Sequence, residues 1–240
     1  MLRTQDVQYR DGSLTLRGFL ACDETVAGKR PGIVVVHEAW GLGNHAMERA
    51  KMLAELGYVA LAADMYGDRR MATDLQSAME LMGDMRTEPA KWRARAGAAV
   101  AALKAQPNVD GSRLAAIGFC FGGTTVLEMA RGGADLKGVV CFHGQLQSAA
   151  PAQKDGVTPK VLVCNGADDP MIPPPQVAAF EEEMRNAGAD WQVINYGGTV
   201  HGFTNPDAGK TVKLDGVAYN AVTARRSWAA MQAFFDEIFA

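Results

Sequence analysis

Cysteine pairs, aromatic residues, an excess of one charge and long apolar runs are all scarce in these 240 residues. Twenty-four basic residues stand against 27 acidic ones, a net charge of −3, which excludes the basic footprint of a nucleic-acid binder. The four cysteines, Cys22, Cys120, Cys141 and Cys164, are too few and too dispersed for a disulfide framework. None belongs to a Cys-x-x-Cys pair, so a zinc ribbon or thioredoxin-type motif is excluded too. His37, His45, His143 and His201 show no ligand spacing, and neither a metal nor a cofactor is expected. No stretch approaches the roughly 20 apolar residues of a membrane span. The N-terminal residues lack the apolar core of a secretory signal. From these absences a soluble, reduced, cytoplasmic protein is expected. Repeats, Gly/Ser linkers and low-complexity segments are missing as well, so residues 1–240 are expected to form one domain.

What is present is alternation. The runs 32–36, 58–62, 113–117, 138–142 and 160–164 are short, continuous and rich in β-branched residues, as strands buried on both faces are. Ser13–Phe19 instead alternates polar and apolar, the pattern of a half-exposed antiparallel strand. Between the runs lie helical spacings: Met47, Ala50 and Ala54 after a possible cap at Asn44; Leu75, Met79 and Met82 after a capping-box pattern opening at Thr73. Trp92, Ala96, Val100 and Leu103 form another stripe, as do Val177, Phe180, Met184 and Ala187, which Gly188 can end. Trp228, Met231, Phe235 and Ile238 form the last. The alternation predicts an α/β fold, a parallel sheet with helices on both faces. Met71, Met79, Met82 and Met85 read as ordinary core packing before they read as a pocket lining.

Gly118-Phe119-Cys120-Phe121-Gly122-Gly123 follows a strand signal and opens a helix signal, the context of a nucleophile elbow with cysteine in place of serine. The glycines suit a turn too tight for side chains, and the following helix directs its N-terminus at the sulfur, where it favours negative charge. A phosphate cradle is the lesser alternative, since Gly-Lys-Ser/Thr is missing. The elbow's partners should follow in the order acid, then base. Asp168 and Asp169 lie just past the run 160–164, and His201 lies in the loop after the strand-like Trp191–Tyr196. Asp169 is favoured as the acid because Pro170 biases it towards an extended conformation, whereas Asp168 suits the turn.

With Val36–Leu42, Ala63–Gly67, the cysteine elbow, Gly166–Asp169 and His201-Gly202-Phe203 in order along nearly the whole chain, the sequence resembles the dienelactone hydrolase family of α/β hydrolases. The resemblance implies a mostly parallel eight-stranded sheet and a Cys120–Asp169–His201 triad. It implies that Glu38 takes the proton from the thiol and that the N–H groups of Ala39 and Phe121 form the oxyanion hole. The partner would be a small ester or lactone, attacked by Cys120 to give an acyl-enzyme. Arg69 and Arg70 follow the Asp-x-Tyr segment where the family carries one arginine of a carboxylate clamp; with Trp40 they are candidate substrate contacts. The second clamp arginine is missing, for none appears between His201 and Arg225. His143 either borders the cleft or belongs to the core. The rival classes are a non-catalytic scaffold whose Cys120 senses oxidants or binds a ligand, and an acyl thioesterase.

Overall fold

The computed structural model describes residues 1–210 and 213–240. The chain opens with an antiparallel hairpin, β1 (Leu2–Asp11) and β2 (Leu14–Asp23), whose second strand joins β4 (Val59–Ala63) through Phe19–Ala21. The apolar runs form β3 (Arg30–Val36), β4, β5 (Val109–Phe119), β6 (Gly138–Phe142) and β7 (Lys160–Gly166), and β8 (Trp191–Tyr196) ends the sheet. All six pair in parallel, and the full order is β1-β2-β4-β3-β5-β6-β7-β8. β1 was not foreseen. It is an edge strand whose residues are mostly exposed, so its sequence carries almost no apolar signal.

Helices cover both faces, which is why the inner strands lack polar alternation. On one face α1 (Asn44–Glu55) and α6 (Ala221–Ile238) pack Ala50, Leu53, Met231 and Phe235 against Ile33, Val35 and Ile117. On the other, α3 (Pro89–Lys104), α4 (Phe121–Arg131) and α5 (Pro174–Asn186) pack Leu103, Val126 and Phe180 against Val34, Val36 and Val139. Each fully buried side chain of this size contributes about 1.5–3 kcal/mol.

Two helix starts differ from expectation. Asn44 is the first helical residue of α1 and caps nothing; Gly43 holds the cap position. In α2 (Leu75–Met82) the cap is Asp74, not Thr73, and the reciprocal partner is Ser77, whose N–H donates to Asp74 Oδ1 at 2.7 Å. α2 buries only Ala78. Leu75 and Met79 face solvent with Met71 before them, whereas Met85 is in the core.

The parallel arrangement brings the carboxyl ends of β3, β5, β7 and β8 to one edge, and the loops that follow them carry Glu38, Cys120, Asp169 and His201. Two surface hollows lie at the opposite edge, around Lys104, Leu114 and Asp135, and hold none of these residues.

Candidate active site

β5 runs out at Phe119 and α4 begins at Phe121, leaving Cys120 in the turn at φ +53° and ψ −114°. A side-chain-bearing residue holds such a backbone only when its surroundings force it. A Cβ on Gly118 would stand 1.9 Å from the Gly122 carbonyl oxygen, and one on Gly122 would stand 2.2 Å from that of Val36. Strand, helix and β3 thus approach more closely than any side chain permits. The Cys120 N–H is shared between the Phe142 carbonyl at 3.0 Å and Nδ1 of His143 at 3.1 Å. α4 starts here, so its positive end favours negative charge developing at this residue. Of the four cysteines only Cys120 is partly exposed. Burial pushes the thiols of Cys141 and Cys164 up to about 12.

Asp169 lies three residues past β7 and is buried. Its Oδ1 accepts the N–H of Met171 at 2.8 Å, and Oδ2 lies 2.7 Å from Nδ1 of His201. The neighbouring Asp168 is exposed. Since the Asp169 carboxylate accepts, Nδ1 carries a proton and Nε2 is the nitrogen left to face the rest of the site. Nε2 makes no hydrogen bond of good geometry among the described residues, although the Cys120 side chain is close enough to act on it. Burial pushes the His201 imidazolium down, but negative charge at Cys120 and the Asp169 hydrogen bond outweigh it and hold its pKa up to about 10.

Glu38 enters from the loop after β3, with a side chain only 11% exposed. Its Oε2 accepts the Asn205 amide at 2.6 Å and stands 3.5 Å from Nδ1 of His45, a polar contact longer than a hydrogen bond of good geometry. The Arg49 guanidinium donates to Nε2 of the same ring at 3.3 Å, so the His45 proton sits on Nδ1, towards Glu38. Burial works against the Glu38 carboxylate, yet His45 and Asn205 hold its carboxyl below the usual range. Ala39 and Phe121 each follow a site residue, and neither N–H bonds to a protein acceptor among the described residues. A cysteine on a strained elbow, an imidazole fixed by a buried carboxylate, a second, largely enclosed carboxylate and two unpaired N–H groups are groups that can together support acyl transfer.

The sequence pattern of the dienelactone hydrolase family matches residues 16–239. The chain belongs to that family. Its α/β-hydrolase fold superposes with a TM-score of 0.94 on a dienelactone hydrolase-like promiscuous phosphotriesterase from metagenomic libraries, which is 46% identical and covered to 98% by 99% of this chain. A second solved structure, m3DLH, is 45% identical with a TM-score of 0.94, over 100% of this chain and 99% of that one. A putative carboxymethylenebutenolidase of Yersinia pestis is 26% identical over 92% of this chain and 84% of its own length. This family member is a hydrolase.

Three of the candidate substrate contacts have their side chains engaged within the protein. Arg69 donates to Asp6, to the Arg17 carbonyl and to the Gly18 carbonyl, so its guanidinium is committed to the β1–β2 hairpin. Arg70, which is exposed, folds back onto the Tyr66 carbonyl through both Nε and Nη2. His143 is wholly buried, which removes it from any substrate surface. Its Nε2 lies 2.8 Å from Thr204 Oγ1, and burial with the nearby positive charge of His201 keeps the ring neutral. Trp40 remains partly exposed, its carbonyl accepting the N–H of Ala72 at 3.0 Å.

His45, Arg49, Thr204, Asn205 and Asp64 were missed. Asp64 is buried and its carboxylate gathers the N–H groups of Arg17, Tyr66, Gly67 and Arg69 at 2.9–3.0 Å, fixing the loop after β4. His45 and Arg49 stand four apart on α1, a spacing that puts both on one helix face and was the available signal.

Proposed function

We propose that the chain hydrolyses activated carboxylic esters or lactones through an acyl-enzyme on Cys120. The observation that supports this best is the 2.7 Å contact of Asp169 with His201 Nδ1, which leaves Nε2 for the Cys120 side chain, to which His201 is charge-coupled. In this reading the Cys120 sulfur attacks the carbonyl carbon, and the N–H groups of Ala39 and Phe121 bind the oxyanion. His201 gives its Nε2 proton to the departing oxygen as the carbon–oxygen bond breaks. Water, deprotonated at Nε2, then cleaves the thioester and regenerates the thiol. Glu38 serves as the thiol's base when it leaves Asn205. A thiolate departs from a tetrahedral intermediate far more readily than an amine, so peptides return to substrate while enol esters, phenyl esters and lactones go forward.

The test is turnover of p-nitrophenyl acetate and of a lactone panel by the wild type and by Cys120→Ala. Loss of at least about a thousandfold in kcat supports the reading; retention of full activity rejects it. Negligible wild-type turnover together with ready peroxide oxidation of Cys120 points to the oxidant-sensing scaffold instead.

A second reading rests on the 46% identity to a promiscuous phosphotriesterase. The same sulfur attacks phosphorus, aryloxide leaves, and water cleaves the phosphorus–sulfur bond. An aryl dialkyl phosphate substrate included in the panel tests it, and aryloxide release that Cys120→Ala abolishes supports it.

A further inference from the structure

His37 lies between the last residue of β3 and Glu38, only 1% exposed. Both ring nitrogens are engaged. The Met65 N–H reaches Nε2 at 3.3 Å, and a backbone N–H can only donate, so Nε2 holds the lone pair. Nδ1 then carries the proton, 2.6 Å from the Glu38 carbonyl oxygen. Burial disfavours the imidazolium, so the ring stays neutral and keeps this tautomer.

The bonded carbonyl belongs to the peptide whose other half is the Ala39 N–H. A peptide unit is planar, so fixing the direction of its C=O fixes that of its N–H. A hydrogen bond accepted at the oxygen also polarises the amide and makes its N–H a better donor. The following peptide is fixed in the same way by Tyr66, whose hydroxyl donates to the Ala39 carbonyl at 2.9 Å. The His37 ring packs edge-on against Tyr66 at 4.8 Å and stacks on Phe121 at 5.9 Å. One side chain therefore touches the peptide of Ala39 and the ring of Phe121, the two residues whose N–H groups face the developing oxyanion in the acyl-transfer reading.

We propose that His37 is a positioning residue, aiming and polarising the Ala39 N–H for the transition state of the Cys120 reaction; this rests on the acyl-transfer reading above. It touches no reacting atom. Its contribution falls on steps that develop an oxyanion and spares those that do not.

The experiment compares two reactions of the same sulfur: turnover of p-nitrophenyl acetate, which develops an oxyanion, and alkylation of Cys120 by iodoacetamide, which does not. His37→Phe keeps the stacking and loses the Nδ1–H donor. It is expected to lower kcat about tenfold to hundredfold. KM and the alkylation rate should stay within about twofold of wild type. His37→Asn, which places a side-chain N–H near the Nδ1 position, is expected to recover most of kcat. Unchanged kcat in His37→Phe overturns the proposal, as does a parallel fall in alkylation, which would mean a disturbed elbow. Should His37→Phe be insoluble, a folded His37→Asn with kcat reduced a hundredfold also overturns it. Wild-type turnover by Cys120→Ala, measured alongside, rejects the acyl-transfer reading itself and is distinguishable from each of these results.

Discussion

The Asn205 side-chain amide donates a 2.6 Å hydrogen bond to Glu38 Oε2 across 167 positions of sequence. The Glu38 side chain is largely enclosed, and a bond to its charged form is worth about 1.5–3 kcal/mol. Asn205→Leu is expected to lose about that much stability at pH 7 by urea unfolding. A carboxyl held below its ordinary 4.5 in the native state contributes stability above that value and loses it as pH falls through the folded pKa. The gap between wild type and Asn205→Leu should therefore narrow as pH drops below 4.5. A gap that stays constant to pH 3 would mean the lost energy is packing rather than charge.

The His201 imidazolium, held up to about 10 against an ordinary 6.5, gives the opposite sign. Its stabilisation is complete below 6.5 and disappears as pH rises through about 10. The same proton is needed by a poor leaving group and not by a good one. Hydrolysis of an alkyl lactone should therefore fall as pH rises through about 10, whereas acylation by p-nitrophenyl acetate should not. In Cys120→Ala the largest upward influence on His201 is gone, so its titration, followed by proton NMR, should move to lower pH. An unmoved titration would show that the sulfur and the imidazole are not coupled.

Two glycines with opposite surroundings test the elbow. Gly118→Ala would place a methyl group 1.9 Å from a backbone oxygen, with no flexible side chain to yield, and is expected to leave the protein insoluble. Gly97 sits exposed in α3, and a Cβ there meets nothing within 4 Å. Gly97→Ala should raise stability by about 0.5–1 kcal/mol, because it narrows the unfolded ensemble and suits the helix. Soluble, active Gly118→Ala protein would refute the close approach of β5 and α4.

The inner strands and most helices were legible because their physics is local: buried runs of Val, Ile and Ala need helices on both sides, and stripes spaced three and four apart need a core. Cys120, Asp169 and His201 were legible because each ends or follows a strand, and parallel strands bring such ends together. The partners of Glu38 were not. Asn205 reads as a loop asparagine and His45 as a helix-surface residue until α1 and the loop after His201 meet. The arginines failed for a related reason. A guanidinium reads as available until the β1–β2 hairpin, itself nearly invisible in sequence, supplies carbonyls to hold Arg69. The outward turn of Leu75 and Met79 was also hidden, because a stripe three and four apart does not say which side of α2 meets the core.

Thr204 reaches the Cys120 elbow through His143. His143 accepts the Cys120 N–H at Nδ1, so its own proton must sit on Nε2, 2.8 Å from Thr204 Oγ1. Thr204→Val keeps the volume and removes the acceptor. The ring cannot change tautomer without presenting a second donor to the Cys120 N–H, so a buried N–H is left unpaired. That costs about 1–3 kcal/mol, and urea unfolding of Thr204→Val should show a loss of this size, with Thr204→Ser recovering most of it. Because the orphaned ring also braces the strained Cys120 backbone, iodoacetamide should alkylate Thr204→Val more slowly than Thr204→Ser. Equal stability of the two variants would mean that the His143 Nε2 proton finds another acceptor and that Thr204 is not needed to hold the ring.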